Sequence, residues 1–311
     1  MKILHFDNYR LGVLAGATVV DVTDLVAARI GHADRRELMP KLIARWDDFA
    51  AALRDAERGA KGRKLDEVTL RAPLPKPGSI VCMAVNYMED GTRAEPAPLN
   101  AFHKAPSAVI GPGETMVLPD VPATIFEGEA ELAVVIGKRA TRVPRARAMD
   151  HVFGYVNFID GSARGLPPPG NVFFQMKSRD TFAPIGPWIT TADEIDDPMK
   201  LRVRLSVNGE TKQDFSTSDM AHDIARCIEW VSAIHTLEPG DILATGTNHR
   251  GLSAFMDGDR IELEVEGLGK LAIGVRDALC RTWSRETRLD RQNKGFETPT
   301  PQIGGKYAAG T

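Results

Sequence analysis

The stretch from Thr124 to Lys138, which reads TIFEGEAELAVVIGK, decides the fold class. Its apolar run from Leu132 to Ile136 is followed by glycine, which is typical of a buried β-strand. Residues two apart share one face of a strand, so Glu127, Glu129 and Glu131 would project side by side. Such crowding of anions is repulsive unless a positive group neutralises it. The pattern therefore predicts a strand whose glutamates either share a bound cation or form an acidic edge that faces water.

Further strands are predicted on both sides of this stretch. Residues 260–265 alternate, with Ile261, Leu263 and Val265 facing one way and two glutamates the other. The main helix of this half is predicted over residues 221–234, from its apolar stripe. Many strands and few helices indicate a β-rich α+β fold. The clearest strand signals lie at residues 79–85, 131–136, 201–207, 241–244 and 260–265.

The first part of the chain predicts a small N-terminal α/β domain. Strand signals at residues 1–6 and 13–22 precede helical periodicity at 25–30 and 38–53. Residues 54–66 are charged and are predicted to form a linker. A Pro/Gly-rich segment near residue 75 marks the boundary. We therefore divide the chain into an N-terminal domain with linker (1–75), a catalytic domain (76–280) and a polar tail (281–311), which is either loosely attached or covers a neighbouring subunit.

Composition excludes several classes of function. The 311 residues are 43% hydrophobic and 26% charged, as in ordinary globular proteins. The net charge of −3 gives no reason to bind nucleic acid or an anionic membrane. Residues 132–136 are far too short an apolar run to span a bilayer, and the three cysteines form no metal or disulfide pattern. We expect a cytoplasmic protein that binds neither nucleic acid nor membrane.

Two further segments contain a charged residue among apolar residues. Asp160 ends a strand-like stretch before Gly161, where it serves either as a metal ligand or as a turn cap. Lys177 lies among aromatic residues and either extends towards water or provides a positioned charge. Clustered carboxylates suit Mg²⁺, Mn²⁺ or Ca²⁺. The alternative for the glutamates is an acidic strand edge that faces water.

Five collinear segments, between about residues 79 and 277, resemble the fumarylacetoacetate hydrolase superfamily. Its members carry Glu-x-Glu-Leu before an apolar run and Gly-Lys, a Gly-Tyr strand that ends in Asp and Ser-Ala-Arg, and Lys-Ser-x-Asp-Thr-Phe-x-Pro-x-Gly-Pro. They also show Lys-x-Pro-Ser and Thr-Gly-Thr segments. The matching segments here are residues 129–138, 154–164, 177–187, 104–113 and 245–251.

The resemblance implies a rolled, mixed β-sheet (β-roll) in the C-terminal domain and a homodimer. It makes Glu129, Glu131 and Asp160 the ligands of Mg²⁺ or Mn²⁺, with Ca²⁺ possible. About half of an octahedral shell would stay open for a small oxo-acid substrate. Lys177 would stabilise the developing enolate, or form a structural salt bridge to a glutamate. The substrate-binding residues implied are Tyr87, Arg164, Gln175, Gly246 and Thr247.

The chain departs from the family after Asn86-Tyr87. Asp90 stands where members carry a catalytic histidine, and Arg93 stands where they carry its glutamate partner. Either Asp90 or Glu89 acts as the general base instead, because burial and neighbouring anions raise carboxylate pKa values, or the water-activating step has been lost. His103 and His249 are further candidates, although either is also interpretable as an ordinary loop histidine.

Three functions remain open from the sequence. The first is metal-dependent hydrolysis of a C–C bond in an acylpyruvate-like or fumarylacetoacetate-like oxo acid. The second keeps the metal and changes the reaction to hydration, tautomerisation or decarboxylation of a 2-oxo acid. The third is a catalytically silent metal-binding protein of the same fold.

Overall fold

The structure is a computed structural model that describes residues 1–31, 34–59, 61–168, 170, 172–296 and 300–308. The N-terminal elements pair into antiparallel strands flanked by helices. Their bounds are β1 (Lys2–Phe6), β2 (Arg10–Ala15), β3 (Thr18–Asp21), α1 (Thr23–Ile30), α2 (Leu38–Ala44), α3 (Trp46–Gly59), β4 (Arg63–Lys64) and β5 (Leu70–Arg71).

The remaining elements are mostly strands, which confirms the predicted β-rich α+β class. The strands are β6 (Ile80–Met83), β7 (Ala101–Lys104), β8 (Val109–Ile110), β9 (Thr115–Val117), β10 (Ile125–Ile136), β11 (Val152–Arg164), β12 (Ala183–Thr191), β13 (Arg202–Val207), β14 (Glu210–Ser216), β15 (Ile242–Ala244), β16 (Arg260–Val265), β17 (Lys270–Arg276), β18 (Thr282–Trp283) and β19 (Gln302–Gly304). The helices are α4 (Arg145–Ala148), α5 (Phe173–Lys177), α6 (Ile224–Ile234) and α7 (Arg288–Asn293).

One large mixed sheet, of twelve strands within the described residues, joins the N-terminal part to the rest. Its main order is β4-β3-β2-β1-β12-β11-β10-β15-β6-β7. The junction is the antiparallel pair β1–β12, in which Ile3 lies opposite Ile189. A five-stranded sheet, β14-β13-β16-β17-β9, packs against it. The domain bounds at residues 75 and 280 stay predictions.

Strand β10 is buried along its whole length because both of its faces meet apolar layers. Leu132, Val134 and Ile136 belong to the core between the two sheets. Ala133 and Val135 belong to a second core, beneath α1–α3. A strand that is covered on both faces needs a continuous apolar run, and this explains residues 132–136.

Two N-terminal predictions were wrong in detail. The helix predicted over residues 38–53 is two helices, because Arg45 leaves helical geometry (φ −124°, ψ 31°) between α2 and α3. Part of the predicted linker is helical, since α3 continues to Gly59, with Phe49 and Leu53 buried on its inner face. Among the described helices, none combines the length and apolar character needed to cross a membrane.

Candidate functional site

The acidic residues meet because β10 and β11 pair antiparallel in one register. Glu129 lies directly opposite Asp160, and Glu131 lies opposite Phe158 on the same face. Glu129, Glu131 and Asp160 are all buried, and each contributes one carboxylate oxygen to a group whose members lie within 4.8 Å of one another. The side-by-side arrangement predicted from strand periodicity is therefore present.

Two buried lysines hold Asp160 in place. Lys177, at the end of α5, donates to Asp160 Oδ2 at 2.5 Å and to Glu129 Oε1 at 2.8 Å. Lys104, at the end of β7, donates to Asp160 Oδ1 at 2.5 Å and to the Gly161 carbonyl at 3.1 Å. Burial alone would lower the pKa of Lys177, but the charges of Asp160 and Glu129 outweigh it and raise that pKa. Lys177 is thus a positioned cation at the carboxylate cluster.

Of the three carboxylates, Glu131 has the fewest hydrogen-bond and ion-pair partners. Its Oε2 accepts the Gly246 N–H at 2.8 Å, whereas its buried Oε1 has no hydrogen-bond partner among the described residues. Burial, together with the charges of Asp160 and Glu129, raises the pKa of Glu131 well above its ordinary value. A buried oxygen without a donor, beside two other carboxylates, fits a hard divalent cation.

Glu127 and Glu129 are neutralised by arginines. Arg164 donates from Nε to Glu127 at 3.0 Å and from its terminal nitrogen to Glu129. Arg288, in the C-terminal helix α7, donates from Nε to Glu127 at 3.1 Å and pairs with it again through a terminal nitrogen. Glu127 is 1% exposed, so it supports the site from beneath the arginines and does not face solvent.

A cavity of about 730 Å³ opens beside this cluster. Arg164 lines the cavity and contacts Glu129, which places the opening next to the carboxylates. The C-terminal segment contributes Gln292 and Phe296 to the wall. The charged and titratable residues among the described lining are Glu89, Arg93, Arg164, His249, Arg250 and Arg288.

Glu89 and His249 form a hydrogen-bonded pair at the cavity. Glu89 Oε1 lies 2.6 Å from His249 Nδ1, and Glu89 Oε2 accepts the His249 backbone N–H at 2.8 Å. Assigning the proton to Nδ1 leaves Nε2 as the ring nitrogen able to accept a proton. Burial pushes the pKa of Glu129 upward, but the charges of Lys177 and Arg164 hold it well below its ordinary value. His249 lines the same cavity as Arg164, which contacts Glu129.

Several predicted site residues have other contacts. Asp90 is exposed and pairs with Arg250 at 3.2 Å. Tyr87 is fully buried in the core, where its ring packs edge-on against Phe215. Gln175 donates to the Pro167 carbonyl at 2.8 Å. Contacts of Asp90, Tyr87 and Gln175 with substrate stay predictions.

The Thr-Gly-Thr turn supports the strand that carries the glutamates. The Gly246 N–H holds Glu131, and the Thr247 hydroxyl donates to the Ala130 carbonyl at 2.8 Å. Thr247 also accepts from Gln213 Nε2 at 2.9 Å. Both residues therefore fix β10 from the turn that follows the neighbouring strand β15, and their predicted contact with a substrate carboxylate stays a prediction.

Sequence reasoning left four contributors out of the predicted site. Lys104 stands in the quoted Lys-x-Pro-Ser segment, which was a signal for it, and Arg250 directly follows His249. Arg93 was noted only as a departure from the family. Arg288 lies in the tail, where no motif pointed to it. His103, the other candidate histidine, hydrogen-bonds Ser79 at 3.2 Å and does not line this cavity.

Comparisons with known proteins show which family the chain is related to. The family model described as Fumarylacetoacetate (FAA) hydrolase C-terminal matches residues 79–276. The maleylpyruvate hydrolase of Aquipseudomonas alcaligenes is 34% identical over 291 residues, which cover 89% of this chain and 99% of the relative. Oxaloacetate tautomerase YisK of Bacillus subtilis is 38% identical over 251 residues, covering 74% of this chain and 83% of the relative.

A solved structure shares the fold over most of the chain. The maleylpyruvate hydrolase of Sphingobium sp. SYK-6, crystallised with manganese(II) and pyruvate, superposes with a TM-score of 0.79 and 37% identity. The match covers 89% of this chain and 99% of that one. These relatives are enzymes, and one of them holds a divalent metal. The chain belongs to the fumarylacetoacetate hydrolase family.

Proposed function

We propose that this protein is a divalent-metal-dependent hydrolase that cleaves a C–C bond in an acylpyruvate-type 2-oxo acid. The observation that carries the proposal is the Glu89–His249 pair at the cavity beside the three carboxylates. Hydrolysis needs a base for water in addition to a metal site. The base predicted at position 90 lies on the surface, whereas His249 lines the cavity with a carboxylate partner.

Glu129, Glu131 and Asp160 would hold Mn²⁺ or Mg²⁺, with Ca²⁺ less suited to a cluster that offers so few ligands. The unpartnered Glu131 Oε1 supports this assignment. When bound, the cation supplies polarisation of the 2-oxo group and stabilisation of negative charge. Manganese in the Sphingobium relative supports the same choice. Cytoplasmic location and a homodimer belong to the proposal as well.

The chain's own residues account for the remaining steps. His249 Nε2 accepts a proton from water, and Glu89 holds the ring orientation through Nδ1 and stabilises the resulting imidazolium. The hydroxide adds to the distal acyl carbon, and the bond between that carbon and C3 of the pyruvate unit breaks. Lys177 stabilises the enolate that receives the electron pair. Protonation at C3 then gives pyruvate, and the acyl fragment leaves as a carboxylic acid.

The first test is turnover of acylpyruvates and of oxaloacetate, with and without Mn²⁺, with product analysis. We expect metal-dependent release of pyruvate and a carboxylic acid. His249→Asn and Glu89→Gln should lower kcat by about 10²–10⁴-fold, the range for a lost general base. His103→Asn is the matched control, since His103 lies outside the cavity lining.

A second candidate function is oxaloacetate tautomerisation, which the YisK relative performs according to its name. Keto–enol exchange requires only the metal site, Lys177 and a modest base. Loss of the enol absorbance without cleavage, equal in the parent and in the His249→Asn variant, would replace the hydrolase proposal with this one. Mn²⁺ binding with no turnover of any oxo acid would instead point to a silent metal-binding protein.

A further inference from the structure

We propose that the C-terminal helix α7 controls how tightly the carboxylate cluster holds its divalent cation, and that Arg288 is the positioning residue that transmits this control. The path runs from Arg288 through Glu127 and Arg164 to Glu129. The inference rests on the metal site of the proposed function. It goes beyond that function because it ties the affinity of the site to a segment outside the region that matches the family, which ends at residue 276.

The path begins at Glu127, which receives most of its hydrogen bonds from Arg288. The Glu127 side chain is buried and accepts three hydrogen bonds within the described residues. Arg288 provides two of them, from Nε to Oε1 at 3.1 Å and from a terminal nitrogen to Oε2. Arg164 Nε provides the third, to Oε2 at 3.0 Å. Without Arg288, Oε1 would be a buried oxygen without a donor, and Arg164 would be the cation left to neutralise the group.

Arg164 joins Glu127 to the metal site. Its guanidinium donates from Nε to Glu127 and from a terminal nitrogen to Glu129 Oε1. The N–H groups of a planar guanidinium point in fixed directions, so a rotation that favours one carboxylate changes the bond to the other. When Glu127 loses Arg288, we expect the guanidinium of Arg164 to turn towards Glu127 and to weaken its bond to Glu129.

The orientation of Glu129 decides which of its oxygens can reach a cation. Lys177 at 2.8 Å, Ser162 at 3.4 Å and Arg164 all donate to Oε1. Because these donors occupy one oxygen, the carboxylate can direct Oε2 to the cation. Replacement of groups that orient metal ligands in this way commonly lowers the metal affinity by about 10–100-fold.

Helix α7 has further contacts that place it in the wall of the cavity. The Arg288 N–H donates to the Leu252 carbonyl at 2.9 Å. The helix packs against residues 249–251, which carry the proposed base, and Gln292 lies in the cavity lining. The same docked helix therefore forms part of the wall, contacts the segment of the base and holds the path to the metal site.

The sign of the effect separates positioning from simple electrostatics. Arg288 is a positive charge near a cation site, so its removal would strengthen cation binding if charge alone mattered. Loss of an orienting contact weakens cation binding instead. A purely structural role, in which Arg288 only stabilises the tail, leaves the cation affinity of the folded protein unchanged.

The test measures Mn²⁺ binding to the full chain by isothermal titration calorimetry, without substrate. We expect Arg288→Met to raise the dissociation constant about 10-fold, the lower end of the range for groups that orient metal ligands, because Arg288 acts through two other residues. Arg288→Lys keeps the charge and should recover part of the loss. Arg291→Met is the matched control, because Arg291 lies in the same helix but pairs with Glu286, at 3.6 Å. The control should bind Mn²⁺ as the parent does.

Thermodynamic linkage provides a second measurement that needs no substitution. If the docking of α7 raises the affinity for Mn²⁺, bound Mn²⁺ stabilises the docked helix by the same factor. Amide hydrogen exchange over residues 288–296 should therefore slow by about 10-fold when the parent binds Mn²⁺. The same segment should show no such change in Arg288→Met.

Equal or tighter Mn²⁺ binding by Arg288→Met, or an equal loss in Arg291→Met, would overturn the inference. If Arg288→Met does not fold, hydrogen exchange in the parent decides, and exchange that Mn²⁺ does not slow overturns the inference. Neither measurement involves turnover, so a failure to find hydrolysis refutes the proposed reaction and leaves the inference to be decided by Mn²⁺ binding. A parent that binds no Mn²⁺ would refute the metal site and the inference together.

Discussion

Arg281 anchors the C-terminal segment that forms part of the cavity wall, and its replacement gives the sharpest stability prediction. The side chain is fully buried. It donates to both carboxylate oxygens of Asp277 at 2.9 Å, and to the carbonyls of Pro119 and Val121 at 2.9 and 3.0 Å. Its guanidinium also lies over the ring of Phe126, 4.5 Å from the centroid. Arg281→Met removes these contacts and leaves the buried Asp277 without its cation.

Breaking a buried ion pair from one side costs about 3–5 kcal/mol. We expect about 3 kcal/mol here, because Asp277 keeps backbone donors from Leu279 and Arg281. Unfolding entropy near 2.1 cal/mol/K per residue over 311 residues is about 650 cal/mol/K, so Tm should fall by about 5 °C.

Urea and thermal unfolding followed by circular dichroism measure this change. Burial raises the pKa of Asp277, but its bonds to Arg281 outweigh burial and lower that pKa. The stabilisation is therefore complete above the ordinary Asp pKa and is lost as pH falls through the lowered value. The parent and variant should converge in acid, and Asp277→Asn added to Arg281→Met should recover part of the loss. A loss below about 1 kcal/mol at pH 7 would refute the assignment of Arg281 as an anchor.

Two other predictions concern protonation and metal binding. Burial lowers the pKa of His5 from 6.5 to about 4, so the unfolded chain binds more protons between these values and stability falls as pH drops. The free energy of unfolding should fall by about 2 kcal/mol between pH 8 and pH 5 because of this group. His5→Leu should remove this pH dependence in urea titrations. An unchanged pH dependence in the variant would contradict the prediction. Mn²⁺ at 100 times its dissociation constant should stabilise the fold by about 2.7 kcal/mol, and EDTA should reverse the gain. Glu131→Gln should abolish the Mn²⁺-induced rise in Tm, whereas an equal rise in that variant would argue against Glu131 as a ligand.

Local patterns predicted the central part of the site because they depend on backbone geometry. The two-residue repeat of a strand places Glu127, Glu129 and Glu131 on one face whatever surrounds them. The strand Arg260–Val265 has the predicted bounds for the same reason. Helix interruption at Arg45 was not predictable in this way, because the apolar spacing of residues 38–53 continues across the break.

The contacts of loop residues could be identified only from the complete fold. The strand predicted over residues 79–85 ends at Met83, and Val85 then adopts a positive φ that a β-branched residue rarely takes. That turn brings Glu89 towards His249, 160 residues further along the chain. Sequence spacing does not reveal which residues form such a pair. The sequence therefore leaves four candidates for the catalytic base.

The sequence by itself determined which residues carry charge on one face of β10 and at the end of the apolar stretch before Gly161. The tertiary structure decided which groups meet them. The β10–β11 register sets Glu129 against Asp160, and chain segments far apart in sequence bring in Lys104, Lys177 and Arg288. The physical reason is that the periodicity of side chains follows from local dihedral angles. Contacts between side chains that are distant in sequence follow from strand order and from the burial of apolar faces on both sides of the sheet.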